Sequence, residues 1–230
     1  MNTRNSKCLV GAAAILWLVA GAVHAESPMV TDDAGTLDAK GAKIEVGLAK
    51  SGPSRSAVLA VGYAPVENLE IGLAHEQMRD HSTDPSLRGH ANGLAVKWVP
   101  LHQGPLSAGL KLELARASDS SENSSTHSTI VTGLVSYQWE PGYVLHANLG
   151  RGWERGADSG TLASNRWSMG AELPIAAHVK LTGDFFGATG EAPGKLIGLR
   201  WTLFEGVKLS GGVGRSNSEN IANAGVAWEF

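Results

Sequence analysis

The sequence has almost no cysteine and no surplus of positive charge. Its only cysteine, Cys8, falls within an N-terminal segment, residues 1–25, that we predict to be an export signal. The remaining chain therefore has no disulfide framework, no zinc–thiolate site and no cysteine nucleophile. Because residues 1–25 carry two basic residues and no acidic one, their removal changes the formal net charge from −3 to −5. The sequence shows no basic footprint for nucleic acid, and we expect no nucleic-acid partner.

Long apolar runs are also missing. The longest one, from Cys8 to Val23, has about 16 residues, which is fewer than the roughly 20 that a transmembrane helix needs. It follows a polar, positively charged start. Val23-His24-Ala25 then supplies small residues at the two positions that a signal peptidase recognises before Glu26. We therefore predict that residues 1–25 are a cleaved signal peptide and that the chain is exported into a Gram-negative cell envelope.

Glycine is abundant, at 29 of 230 residues, and apolar residues alternate with polar or small ones along most of the chain. A period of two is typical of β-strands, and here it recurs in runs of about 9 to 12 residues. Strands of soluble sandwiches usually have about five or six residues, whereas a tilted strand needs about 9 to 11 to cross a membrane. The predicted strands are twelve: 42–50, 54–64, 69–78, 89–99, 106–116, 126–139, 143–154, 162–173, 179–189, 195–203, 207–216 and 220–230.

The connections between these strands alternate in length. Tight turns follow the even-numbered strands, at 65–68, 100–105, 140–142, 174–178 and 204–206, whereas longer polar loops follow strands 3, 5 and 7, at 79–88, 117–125 and 155–161. Short turns at one end and longer loops at the other are typical of outer-membrane barrels. The predicted fold class is all-β, a transmembrane antiparallel up-and-down β-barrel of about 12 strands.

Aromatic residues are few, at 6%, but their positions are informative. Tyr and Trp collect where a membrane meets water, whereas the core of a soluble β-sandwich, the competing fold, would draw them to the middle of its strands. Nine of the 13 aromatic residues after position 25 fall at the short-turn ends of predicted strands: Tyr63, Trp98, Tyr137, Trp139, Tyr143, Trp201, Phe204, Trp228 and Phe230. This distribution favours the membrane barrel.

Charged residues within the predicted strands mostly share the polar face, which lines the lumen of a barrel. Their signs nearly balance, which indicates either a structural network of ion pairs or, as the alternative, a selectivity ring. The lumen-facing candidates are Asp32, Asp33, Lys97, Lys111, Glu113, Arg166, Glu172, Lys180, Asp184 and Arg200. The same face also carries Glu45, Glu70, Glu76, Lys208 and Glu229.

Residues 26–41 precede the barrel, which we assign to 42–230. They are too polar to span a membrane, and two interpretations stay open: a periplasmic tail, or a segment that folds into the lumen and plugs it. In the second, Asp32 and Asp33 pair with wall cations such as Arg200, Lys111 or Lys97, and Gly35 lets the chain turn toward the first strand.

Two short motifs carry resemblances. The final residues Gly225-Val226-Ala227-Trp228-Glu229-Phe230 resemble the closing strand of Gram-negative outer-membrane proteins. The resemblance implies that Trp228 and Phe230 are an assembly signal for the barrel-assembly machinery. The stretch Thr31-Asp32-Asp33-Ala34-Gly35-Thr36 resembles the start of a family of outer-membrane transporters labelled MetA-pathway of phenol degradation. That resemblance implies transport and supplies no catalytic residues.

The predicted function is a passive channel or transporter for small solutes, hydrophobic or aromatic ones included, in contact with outer-membrane lipid. Two alternatives are a structural barrel without transport and a lipid-modifying enzyme. The enzyme is disfavoured because an outer-membrane phospholipase places a His and a Ser two residues apart, on one face, and no His-x-Ser occurs here. We expect no enzyme activity, no cofactor and no metal site.

Overall fold

The computed structural model describes residues 27–82, 84–120, 125–156 and 160–230. The predicted signal peptide, residues 1–25, lies outside the described residues. Within them, no helix is long and apolar enough to cross a membrane. Twelve strands account for most of the described chain: β1 Ala42–Ser51, β2 Ser54–Val66, β3 Leu69–Asp80, β4 Leu87–Gln103, β5 Leu106–Asp119, β6 Ser125–Trp139, β7 Tyr143–Arg155, β8 Thr161–Ala176, β9 Val179–Ala188, β10 Gly194–Phe204, β11 Val207–Ser216 and β12 Glu219–Glu229.

Each strand pairs antiparallel with its neighbours in sequence, and β1 pairs with β12 to close the barrel. The closing register runs from Lys43 opposite Glu229 to Ser51 opposite Ile221. Two further backbone hydrogen bonds, of 2.7 and 2.9 Å, join Ala42 to Phe230. Closure leaves no free sheet edge, and the prediction of an all-β, 12-stranded antiparallel barrel is confirmed.

The five tight connections lie at one end of the barrel, here called the short-turn end, and the other end is called the long-loop end. Three of the five short turns were predicted too long, because strands continue past the prolines at 65, 100 and 174, whereas the turn at 140–142 has the predicted bounds. Proline cannot donate a ladder hydrogen bond, so it is tolerated at a bulge. Register shifts occur at each of these places, between Tyr63 and Val66, between Trp98 and Leu101, and between Pro174 and Ala176. The prolines therefore mark bulges before the turns.

The wall of the barrel has two chemically different faces. In β4, for example, alternate residues from Gly89 to Val99 are buried while His90 to Trp98 point outward. The outward face exposes many large apolar side chains, among them Leu59, Leu73, Leu149, Ile197 and Val213. All nine aromatic residues named above for the short-turn end are exposed there. The inward face carries small residues and the buried charges described below.

Candidate functional site

Residues Ser27–Gly41, here called the lumen segment, lie inside the barrel. Met29, Thr31, Asp32 and Ala34 are each no more than 5% exposed. The segment leaves the lumen at the short-turn end, where the backbone N–H of Lys40 donates to the carbonyl of Ala64 at 2.6 Å. It then turns into β1.

Asp32 is at the centre of the contacts that hold this segment. Lys97 and Lys111 lie directly opposite each other on β4 and β5, an arrangement in which like charges repel. One Asp32 carboxylate oxygen accepts a hydrogen bond from Lys97 Nζ, the other accepts one from Lys111 Nζ, and both distances are 2.8 Å. The three side chains are 4–5% exposed. Asp32 therefore neutralises a buried pair of cations that the wall alone would leave in repulsion.

Two further carboxylates complete this cluster. Asp33 accepts a hydrogen bond from Lys97 Nζ at 2.7 Å, although its own side chain is 55% exposed. Glu113, on the same face of β5 as Lys111, lies 3.2 Å from that lysine's Nζ. Two cations thus meet three carboxylates, and the charge-assisted hydrogen bonds fix the segment at this level of the lumen.

The segment's backbone is held by side chains of the wall. The N–H groups of Val30 and Thr31 donate to the two carboxylate oxygens of Asp184, at 3.0 and 3.2 Å. Asn148 accepts from the N–H of Asp32 at 2.7 Å and donates to its carbonyl at 2.9 Å. Buried backbone outside a sheet ladder needs such partners. Ser136 and Glu70 accept hydrogen bonds from the backbone N–H groups of Ala34 and Leu37, and the Asn223 side chain donates to the carbonyl of Pro28.

Glycines of the wall make room for the segment. A Cβ at Gly225 would lie 2.9 Å from the Cβ of Ser27, and a Cβ at Gly212 would lie 3.0 Å from the Cβ of Pro28. A Cβ at Gly170 would overlap the end of the Met29 side chain. The inward glycines of β8, β11 and β12 therefore form a cradle that larger residues would fill.

A second charged cluster lies nearer the short-turn end. Glu172 accepts a hydrogen bond from Lys180 Nζ at 2.7 Å and contacts Arg200 Nη1. The Nε2 of His146 lies 3.9 Å from the same carboxylate. Arg200 also donates from Nε to the carbonyl of Ser27 at 3.4 Å, which couples this cluster to the lumen segment.

The predicted lumen-facing residues thus fall into separate groups. The structure brings Asp32, Asp33, Lys97, Lys111 and Glu113 into one cluster and Glu172, Lys180 and Arg200 into another. Arg166 contacts Glu154 at 3.0 Å and lines a small cavity beside Asp32, Lys111 and Glu113. Asp184 binds backbone N–H groups of the lumen segment.

Sequence reasoning missed several inward residues that hold the site: Lys43, Ser136, His146, Asn148 and Glu154. Lys43 lies 3.8 Å from Glu70 and shares its face with Glu45, so strand alternation could have found it. The neutral residues were harder to assign, because His and Asn also occur on the outward face. His75 and Asn92, for example, form a hydrogen bond of 2.9 Å there.

The lumen segment separates two cavities. The larger, of about 1830 Å³, opens toward the short-turn end and is lined by the segment from Asp33 to Ala39 and by the wall. A cavity of about 80 Å³ lies on the long-loop side, beside Asp32, Lys111 and Glu113. Charges of both signs line the larger cavity. The acidic ones are Asp33, Asp38, Glu67, Glu70, Glu140, Glu172, Glu205 and Glu229, and the basic ones are Lys43, Lys97, Lys180, Arg200 and Lys208. We call this cavity the vestibule.

No protein-family model and no curated protein sequence matches this chain. Solved structures do match, and three of them are similar at 9 to 12% sequence identity. An outer membrane channel from Pseudomonas putida F1 aligns with a TM-score of 0.66 and 9% identity, over 86% of this chain and 98% of that one. The KdgM porin in complex with disordered oligogalacturonate gives 0.61 and 12%, over 82% and 99%. The NanC porin gives 0.58 and 10%, over 81% and 98%. These similarities support the barrel fold.

Proposed function

We propose that this chain spans the outer membrane as a β-barrel and is a passive channel for small solutes, in which the lumen segment forms the constriction. The observation that carries the proposal is the division of the closed barrel into an exposed apolar outer wall and a charged lumen with a vestibule of about 1830 Å³. A soluble barrel would turn its apolar face inward. Lipid outside and water inside require the opposite arrangement.

Further features support placement in the outer membrane. Strands of 10 to 17 residues are long enough to cross the hydrocarbon at a tilt. The exposed aromatic side chains at the short-turn end suit a membrane interface. Channels and porins of that membrane share the fold. Export by a signal peptide and recognition of Trp228 and Phe230 by the barrel-assembly machinery are part of the same proposal.

The vestibule favours polar solutes over purely apolar ones, because both acidic and basic side chains line it. Solutes diffuse through without a single-sign field to select them. The family resemblance of the segment Thr31–Thr36 is the argument for hydrophobic or aromatic solutes. The competing function is a structural barrel that never conducts, and the buried ion pairs of Asp32 favour it, since they hold the segment across the lumen.

Single-channel recording in planar bilayers tests the proposal. The purified chain is compared with a variant lacking residues 28–36, which removes Asp32 and the backbone partners of Asp184. We expect small conductance steps from the intact chain and larger ones from the deletion, because the segment narrows the lumen. Heat-modifiable mobility on gels is the control for folding of both. If both proteins fold and insert and neither conducts, the barrel is not a channel.

A further inference from the structure

The outward face of the twelve strands carries charge of one sign only. Nine basic residues point outward and are exposed, whereas no Asp or Glu of any strand does so. The nine are Lys50, Arg55, Arg79, Arg88, Arg116, Arg151, Arg155, Lys195 and Arg215. The net charge of the chain is negative, so the composition does not explain this bias. We call these nine residues the basic belt.

The members of the belt lie in the halves of their strands that are nearer the long-loop end. Four of its members are register neighbours: Lys50 lies opposite Arg55, Arg55 opposite Arg79, and Arg79 opposite Arg88. On the other side of the closing strand, Lys195 lies opposite Arg215. Among the described residues, none of the nine forms an ion pair with a carboxylate. Like charges placed side by side repel, so the belt suits an anionic partner supplied from outside the chain.

The position of the belt identifies where that partner lies. Nine exposed aromatic residues mark the short-turn rim, and the basic belt lies toward the opposite rim of the same apolar wall, beside the exposed Trp153. In a barrel whose short turns face the periplasm, the long-loop rim meets the outer leaflet. Long basic side chains at such a rim reach the headgroup region. Arg in particular pairs with phosphate through two parallel N–H···O hydrogen bonds.

One part of the belt stands above a groove in the outer wall. A depression of about 710 Å³, mostly apolar, crosses the outward faces of β6 to β11. Small residues form its floor, with Ala147 on β7, Ala171 on β8 and Gly183 on β9. Large apolar side chains form its sides, among them Leu145, Met169, Leu173, Phe185 and Ile197. Lys195 lines its edge on the long-loop side, opposite Arg215.

We propose that this is a binding site for a phosphorylated lipid of the outer leaflet. A phosphate group contacts Lys195 and Arg215, and an acyl chain lies in the groove over Ala147, Ala171 and Gly183. The rest of the belt attracts the same leaflet without a groove beneath it. The proposal rests on the membrane location proposed above. It goes beyond the channel, because the site lies outside the lumen.

The test measures lipid retention by the refolded full chain in detergent, by native mass spectrometry. The probes are diphosphorylated lipid A and the same lipid without its phosphates. The site variant is Lys195→Gln/Arg215→Gln, and the matched control is Arg79→Gln/Arg88→Gln, which removes the same charge from the belt away from the groove. Gly183→Leu fills the groove floor and leaves both cations in place.

We expect the site variant to bind diphosphorylated lipid A at least about tenfold more weakly than the unchanged chain. Gly183→Leu should also weaken binding of this lipid, and the control variant should bind it about as tightly as the unchanged chain. Excess inorganic phosphate should not displace the lipid. Equal loss in the two charge variants, or equal binding of the lipid without phosphates, would refute the site and leave the channel proposal intact. A chain that does not insert into lipid vesicles at all would refute the membrane location, and the lipid site with it.

Discussion

At the residue scale, Asp32 and Asp33 are adjacent and have different roles. Asp32 is buried between two lysines, whereas Asp33 is more than half exposed and shares Lys97. Removing one partner of a buried ion pair costs about 3 to 5 kcal/mol because a charge is left uncompensated. An exposed carboxylate contributes about 1 kcal/mol or less.

We therefore predict that Asp32→Asn releases the lumen segment and that Asp33→Asn largely does not. Limited proteolysis from the periplasmic side, followed by mass spectrometry of the fragments, measures the release. The expected result is rapid cleavage within residues 27–38 in Asp32→Asn and slow cleavage in Asp33→Asn. Equal rates in the two variants would show that the Lys97–Asp32–Lys111 contacts do not anchor the segment.

The outer wall supplies a second contrast on a single strand. Leu112 points outward from the middle of β5, next to Val96 and Val131, whereas Ser118 is on the same face and pairs with His90 near the long-loop end. We predict that Leu112→Arg destabilises the barrel by about 2 to 4 kcal/mol and Ser118→Arg by about 0 to 1 kcal/mol. Denaturant midpoints in lipid vesicles measure both. A similar cost at both sites would mean that this face does not meet hydrocarbon.

Strand alternation indicated which residues share a face. This was enough to predict that the lysines of β4 and β5 and the carboxylates of β8 and β9 face the lumen. Alternation could not identify which of these charged side chains form ion pairs with one another. Whether Asp32 meets Lys97 and Lys111 or Arg200 depends on the path of a segment without periodicity. Arg200 instead contacts Glu172 and the carbonyl of Ser27, a choice that only the folded lumen determines.

At the scale of elements, the inward glycines have a role that composition alone does not reveal. Glycine allows a strand to bend and leaves space within a narrow barrel. In the structure, the space at Gly170, Gly212 and Gly225 is occupied by the lumen segment. The wall and the segment are therefore complementary in shape as well as in charge.

Substitution at one of these glycines should displace the segment without breaking the barrel. We predict that Gly170→Val exposes the lumen segment to protease and raises single-channel conductance, because its side chain would overlap Met29 and Thr31. Gly183→Val is the matched control, since an added Cβ at Gly183 meets nothing within 4 Å. Equal single-channel conductance of Gly170→Val and Gly183→Val would show that the space at Gly170 does not hold the lumen segment in place.

At the scale of the whole molecule, three features of the wall are separated along the barrel axis. Nine of the exposed aromatic side chains are at the short-turn rim, and apolar side chains are between the rims. The basic belt lies toward the long-loop rim, with Trp153 beside it, while the acidic residues of the strands face inward. Strand lengths and turns predicted the closed barrel. The basic belt was not predicted from the sequence, because its members are spread over eight strands and several become neighbours only once the register is known.

Closure of the barrel depends on its last strand, and this gives the final prediction. Phe230 follows β12, exchanges two backbone hydrogen bonds with Ala42 and exposes its ring at the short-turn rim beside Trp228. Phe230→Asp places a charge where the wall exposes aromatic side chains of the kind that suit a membrane interface. We expect it to reduce the amount of folded, heat-modifiable barrel in the outer membrane while export across the inner membrane continues.

The control for this prediction is Glu229→Gln, because Glu229 faces the lumen, contacts Lys208 at 2.8 Å and is partly exposed. Its loss removes a solvent-screened ion pair of about 1 kcal/mol or less and leaves the outer face unchanged. Cell fractionation with unheated and heated gel samples measures folded barrel in both variants. Accumulation of Phe230→Asp at the level of Glu229→Gln would show that the aromatic end of the closing strand does not direct assembly, and that backbone pairing between β1 and β12 is sufficient.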